Sequence, residues 1–238
     1  MTVFNTFEEL DDYCADPANS LEDVKLGSSI TSLASLFAKS DRTEEQFKGI
    51  EKWDVSRVTD FSCMFFRAEN FNSDISGWDV GQAVNMRDMF CGAYIFNKPL
   101  ERWNVSSVTD MQGMFKGAKR FNQPLESWDV SHVSDMSFMF CDAEKFNQPL
   151  ENWDVSGVSD FEFMFFDALC YNQPLNDWKI EENEYIFPNS AMVPENYPWV
   201  EIKRTAEAEE LKDEPESEGF KVYRNYENKL KNLFRCCF

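Results

Sequence analysis

The tryptophan at position 53 returns at 78, 103, 128, 153 and 178, with no residue inserted or lost between copies. Its neighbours return with it. Residues 103–127 read WNVSSVTDMQGMFKGAKRFNQPLES and residues 128–152 read WDVSHVSDMSFMFCDAEKFNQPLEN. A fixed period of this length is the mark of a stacked-repeat architecture, because one copy cannot bury its apolar face alone whereas a stack can.

Within a copy, Val108, Met111, Met114, Phe115 and Ala118 fall at i, i+3, i+6, i+7 and i+10, the spacing of one helix face. Thr109 occupies the N-cap position and Asp110 the first turn, where the helix dipole favours an acid. Thr59/Asp60, Ser134/Asp135 and Ser159/Asp160 repeat the device, and Val84/Asn85 break it. Phe121-Asn122-Gln123-Pro124 is a turn signal. Leu125 to Val130, with Trp128 and Val130 at period two, reads as a short strand. The expected fold class is therefore an α/β repeat solenoid, leucine-rich-repeat-like, with short parallel strands on one side and short helices on the other.

The repeated pattern W-D-V-S-x-V-[TS]-D-M-x-x-M-F-x-x-A-x-x-F-N-x-P-L resembles the 25/26-residue repeat of BspA-like, leucine-rich-repeat-type surface proteins, the DUF285 repeat family. The resemblance runs from Ile50 to Trp178, roughly half the chain. It implies a solenoid and a surface-recognition or adhesion role, and no catalytic residue.

Two identical-residue ladders are expected to be structural. One is Trp53, Trp78, Trp103, Trp128, Trp153 and Trp178; the other is Asn72, Asn97, Asn122, Asn147 and Asn172. The asparagines are expected to bond turn backbone and one another along the stack. A third column, Asp54, Asp79, Asn104, Asp129 and Asp154, invites calcium. Calcium needs six to eight converging oxygens, however, and one acid per layer supplies few, so capping of the turns at Ser56, Ser106, Ser131 and Ser156 is the stronger expectation and no metal is assigned. On the helical reading, the positions ten and thirteen after each Trp face outward, which puts Phe66, Phe138, Phe163 and Phe166 on the surface. Contiguous exposed apolar surface marks partner binding; the alternative is that the C-terminal segment folds back over it.

Residues 1–52 read as an N-terminal cap, with Thr6 and Glu9 spaced as a capping box and Ile30, Leu33, Leu36 and Phe37 as a degenerate half repeat. Residues 53–177 hold the five repeats. Residues 178–200, rich in Pro and apolar side chains, read as a C-terminal cap, and 201–238 as a charged helical extension in which Phe220, Tyr223, Tyr226, Leu230 and Phe234 recur every three to four residues. Cys236 and Cys237 lie beside Lys229, Lys231 and Arg235 and resemble a double-prenylation signal. The chain thus has a second reading, a scaffold recruited to membranes by lipid.

The net charge of −20 opposes binding to nucleic acid and suits a basic partner. No apolar run reaches the ~18 residues of a spanning helix. No leader segment is visible, so a cytoplasmic location is expected, or a cell-surface one if a leader has been removed. Seven scattered cysteines, Cys91 and Cys141 sharing a register two layers apart, point to reduced thiols. No catalytic motif is present, and the single histidine, His132, sits in a variable column. The sequence alone gives a non-enzymatic protein-recognition module with no cofactor, whose partner is another protein.

Overall fold

The computed structural model describes residues 2–178, 180, 185–192 and 196. Contacts divide the chain into two units, Met1–Val200 and Glu201–Phe238; the second, with the expected tail helix and Cys236 and Cys237, lies outside the described residues.

The N-terminal segment forms strand β1 (Thr2–Phe4), helix α1 (Phe7–Ala15) and strand β2 (Val24–Leu26), with β1 and β2 parallel and Phe4 opposite Leu26. Thr6 is the N-cap of α1: its hydroxyl accepts from the Glu9 amide at 3.3 Å, while the Glu9 carboxylate reaches the Asn5 amide rather than that of Thr6. Short 3-10 turns at Glu44–Phe47 and Ile50–Lys52 follow.

From Trp53 to Asp177 the chain contains neither of the elements its spacing suggests. The segment equivalent to Val108–Ala118 is a run of tight turns, not a helix. The reason lies in where its amides point. Met64, Phe66 and Ala68 donate three residues back, to Phe61, Cys63 and Phe65. The amides between them, of Phe61, Cys63, Phe65 and Arg67, donate instead to carbonyls of Asn85, Arg87, Met89 and Cys91 in the next copy, at 2.6–2.9 Å. Half the amides thus run between copies, and no i→i−4 ladder can form. These overlapping i→i+3 turns bring Phe61, Met64, Phe65 and Ala68 inward at spacings of three, one and three, which is why the pattern imitates a helix face. Leu125–Val130 is not a strand: the Trp128 amide closes a turn on the Leu125 carbonyl. The sheet-like contacts are single parallel bridges seven residues after each Trp, linking Asp60, Asn85, Asp110, Asp135 and Asp160 in series.

The interior is built of aromatic columns. Phe65, Phe90, Phe115, Phe140 and Phe165 stack with ring centres 5.6–5.7 Å apart, and Phe71, Phe96, Phe121, Phe146 and Tyr171 stack beside them at 5.6–6.0 Å. Every one of these rings is fully buried. Burying a Phe is worth ~1.5–3 kcal/mol, so the columns are the main apolar term holding neighbouring copies together. After repeat five, Tyr185, Ile186 and Pro188 accept from Phe163, Phe165 and Asp167, and Phe187 stacks on Phe165 at 5.3 Å, which covers the last layer.

Tyr171 stands where the other copies carry Phe, and its buried hydroxyl has no hydrogen-bond partner among the described residues. Removing an unsatisfied buried hydroxyl relieves a desolvation cost. Tyr171→Phe is expected to stabilise the protein by ~1–2 kcal/mol in denaturant melts.

Candidate functional site

The tryptophan column is structural. Each indole Nε1 donates to a carbonyl of the preceding layer: Trp78 to Ile50, Trp103 to Ile75, Trp128 to Leu100, Trp153 to Leu125 and Trp178 to Leu150, at 2.9–3.1 Å. Trp53 donates to Leu21 in the N-terminal segment. In the asparagine column the side chain is the acceptor. Asn72, Asn97, Asn122 and Asn147 each offer Oδ1 to the backbone amide of the next Asn at 2.9–3.0 Å, ending at Asn172. Gln148 and Gln173 add their own amides to the same oxygens.

The carboxylates of the Asp54 column cap their own turns. Asp54 and Asp129 accept from the amide and hydroxyl of Ser56 and Ser131, and Asp154 from the Ser156 amide. The serine hydroxyls, followed by the serine amides, hold these three acids below the usual carboxylate range. Asp110 and Asp135, expected in the first turn of a helix, do the same job with Gln112 and Ser137, while the Thr109 hydroxyl donates back to the Val84 carbonyl instead of capping. Among the described residues no group of three or more His, Cys, Asp or Glu side chains is placed to hold a metal ion, and no helix is long and apolar enough to cross a membrane.

The aromatic edge differs from its expected form. Phe163 is buried, with only 4% of its surface exposed, because Phe138 stacks on it at 5.3 Å, Phe166 meets it edge-on at 5.7 Å and Tyr185 covers it at 6.1 Å. Phe66, Phe138 and Phe166 are half-buried. Lys116 Nζ lies 4.8 Å from the centre of the Phe138 ring, a cation–π contact. Cys14, Cys63, Cys91, Cys141 and Cys170 form no disulfide; burial pushes Cys14 up to about 12 and Cys141 well above the usual thiol value.

Two further columns on this edge are not apparent from side-chain periodicity. Ten residues after each Trp, Cys63, Asp88, Gly113, Phe138 and Phe163 all have φ between 52° and 60°. Fourteen after, Arg67, Gly92, Gly117, Asp142 and Asp167 have φ between 54° and 70°. This left-handed backbone suits glycine, and the three glycines scattered through the two columns are its only trace in the sequence. Gly113 has a second effect: a Cβ there would lie 2.2 Å from Asp88 Oδ1, so that carboxylate would have to move. Asp88 and Asp142 sit half-buried on this edge, and burial raises both carboxyls, Asp142 further through the neighbouring Asp167 charge.

These shifts set a pH dependence. A carboxyl raised in the folded state binds its proton more readily folded than unfolded, so stability rises as pH falls through that raised value; Asp88 and Asp142 act this way. Asp54, Asp129 and Asp154 act oppositely, and their contribution is lost as pH falls through their depressed values. The melting temperature is expected to rise on mild acidification from pH 7, peak above the ordinary Asp value of ~3.9, and fall below it. Asp142→Asn should flatten the rising limb in a series of thermal melts across pH.

No curated protein and no solved structure matches this chain. Residues 31–136 and 97–196 match the family DUF285, described as Mycoplasma protein of unknown function. The two matches overlap and together span more than half of the 238 residues, so the chain belongs to the DUF285 family.

Proposed function

We propose that this chain is a non-enzymatic protein-recognition module, a stacked-repeat solenoid that binds another protein along the edge carrying the two left-handed columns. The supporting observation is what occupies those columns. Seven of their ten positions are not glycine. A non-glycine residue in this conformation costs ~1 kcal/mol or more, so the edge retains side chains at a cost in stability. Phe138 within them and Phe66 and Phe166 beside them remain half-exposed, the residue class that anchors interfaces. The resemblance to BspA-like surface proteins agrees with such a role.

The test is capture from the native source with three baits: the full chain, the full chain carrying Phe66→Ser and Phe166→Ser, and a chain ending at Val200. A partner held by the first and third baits and lost by the second is the expected result. A partner kept by the serine variant and lost on truncation places recognition in residues 201–238 and overturns the edge.

A further inference from the structure

The turn-capping column departs from its rule at a single layer. The position after each Trp holds Asp54, Asp79, Asn104, Asp129 and Asp154, so one amide stands among four carboxylates. The turn itself does not require the exchange. Asn104 Oδ1 accepts from the Ser106 amide at 3.2 Å and the Ser106 hydroxyl at 2.8 Å, as Asp129 Oδ1 does from Ser131 at 3.1 and 2.7 Å. What the amide adds is Nδ2. It belongs to an exposed side chain and donates to no acceptor among the described residues.

A second departure lies beside the first. The position three after each Trp holds Ser56, Gly81, Ser106, Ser131 and Ser156. Gly81 is the member one layer before Asn104. A Cβ on Gly81 would lie 3.4 Å from Asn104 Nδ2, in contact with it and in the way of anything bonded to it on that side. The Gly81 backbone is not left-handed, and four other layers carry Ser at the same register, so the turn does not call for glycine. The exchange also gives up a bond. The Gly81 amide still donates to Asp79 at 3.1 Å, but the hydroxyl bond that Ser56 makes to Asp54 at 2.6 Å has no counterpart. The stack therefore lacks a side chain at the one register where it would stand against the one unbonded amide nitrogen of the column.

Asn104-Val105-Ser106 has the acceptor pattern for an N-linked oligosaccharide, and the 238 residues contain that pattern once. We infer that Asn104 is an N-glycosylation site and that Gly81 leaves room for its first sugar. In the transfer Nδ2 forms a bond to C1 of the sugar, and the bond from C1 to a lipid-linked diphosphate breaks. The lipid diphosphate leaves, and the amide gives one proton to the transferase. Oδ1 keeps its lone pairs, so the turn bonds from Ser106 survive the modification. The lipid-linked donor belongs to the secretory route, so the inference takes the cell-surface location of the two that the sequence allows. It goes beyond the recognition edge, because Asn104 lies on the turn ladder and on neither left-handed column.

The experiment is mass spectrometry of the protein from its native source. Trypsin cuts after Arg102 and Lys116 and releases residues 103–116, which hold Asn104. That peptide is expected to be largely missing at its plain mass. After treatment with a peptide N-glycosidase in heavy-oxygen water it should appear with Asp at position 104 carrying the label. The full chain, placed behind a secretory leader in a eukaryotic host, tests the acceptor itself. The unmutated chain and Ser106→Thr, which keeps the pattern, should run as a heavier form. Asn104→Asp should not, and it keeps the turn as four other layers do, so loss of the heavier form is not misfolding. Gly81→Ser should lower the melting temperature of the glycosylated chain by ~2–4 °C and leave that of Asn104→Asp unchanged. A predominantly plain peptide from the native protein, or no heavier form of the unmutated chain, overturns the inference; an equal effect of Gly81→Ser in both backgrounds overturns the role given to Gly81. The capture experiment stands in every case, because it depends on Phe66 and Phe166.

Discussion

Removing residues 128–152 is expected to leave a folded protein, whereas removing residues 128–139 is expected to unfold everything that follows. The first deletion excises one whole period. Trp153 then takes the place of Trp128, its indole within reach of the Leu100 carbonyl that Trp128 now uses. Asn172 presents its amide to Asn122 Oδ1 as Asn147 does. Phe165 stacks on Phe115 and Tyr171 on Phe121, repeating existing ring pairs. Gly113 faces Phe163 instead of Phe138, and no new Cβ collides. The unfolding slope in urea should fall with the lost surface, and the circular dichroism spectrum should keep its shape. The second deletion shifts every later residue out of register. The phenyl columns then meet polar positions, the Trp nitrogens lose their acceptors, and the Asn column offers no oxygen to the next amide. With several kcal/mol lost at one junction, the C-terminal layers have no template.

The choice of repeat matters. Deleting residues 103–127 also preserves the period, yet it puts Phe138 where Gly113 was. The Asp88 carboxylate lies 2.2 Å from the position of that Cβ. This variant should be ~1–3 kcal/mol less stable than the 128–152 deletion, and Asp88→Gly should recover most of the difference. Equal stability of the two deletions would refute the steric role of Gly113.

The period, the Trp and Asn columns and the turn-capping aspartates were legible because each is a residue type repeated at one register, and a fixed chemical need recurs with it. The local conformation was not. Val108, Met111, Met114 and Phe115 satisfy the spacing of a helix face and equally that of the overlapping turns that begin at Met111, Gly113 and Phe115. What separates the two is the direction of alternate amides, which no side chain reports. Burial of Phe163 was one of two readings the sequence left open, because its cover includes Tyr185, which lies beyond the last full repeat and outside its pattern. The left-handed columns left only Gly92, Gly113 and Gly117 as a signal, diluted by Cys, Asp, Arg and Phe at the same registers. Lys39, three residues beyond Leu36 in the degenerate copy, aligns with Arg67 only through their shared backbone conformation.

Arg42→Met is expected to melt the N-terminal segment while the central repeats stay folded. Nothing in the stretch Ser40-Asp41-Arg42-Thr43-Glu44 marks this arginine in the sequence, yet only 1% of its surface is exposed. Its guanidinium donates to five carbonyls: Pro17, Asn19 and Gln46 through Nη1, and Cys14 and Asp16 through Nη2, at 2.6–3.2 Å. Cys14 and Asp16 stand at the C-terminal end of α1, where the helix dipole favours a cation. The charge is thus neutralised by carbonyl dipoles rather than by a bonded carboxylate, and burial lowers the guanidinium's affinity for its proton. Methionine fills the volume and supplies no donor, stranding five acceptors. Charge-assisted bonds are worth ~1.5–3 kcal/mol each in isolation, but they share one side chain, so a total loss of ~3–5 kcal/mol is the reasonable expectation. Arg42→Lys keeps the charge and at most three donors and should lose about half as much. Hydrogen exchange separates this from a general loss of stability. Amides of Leu10, Val24 and Gly27 should exchange faster, while those of Phe115, Phe140 and Phe165, which donate to the Met139, Met164 and Ile186 carbonyls, should hold. If all exchange together, the N-terminal segment and the repeats are one cooperative unit, and Arg42 supports the entire stack.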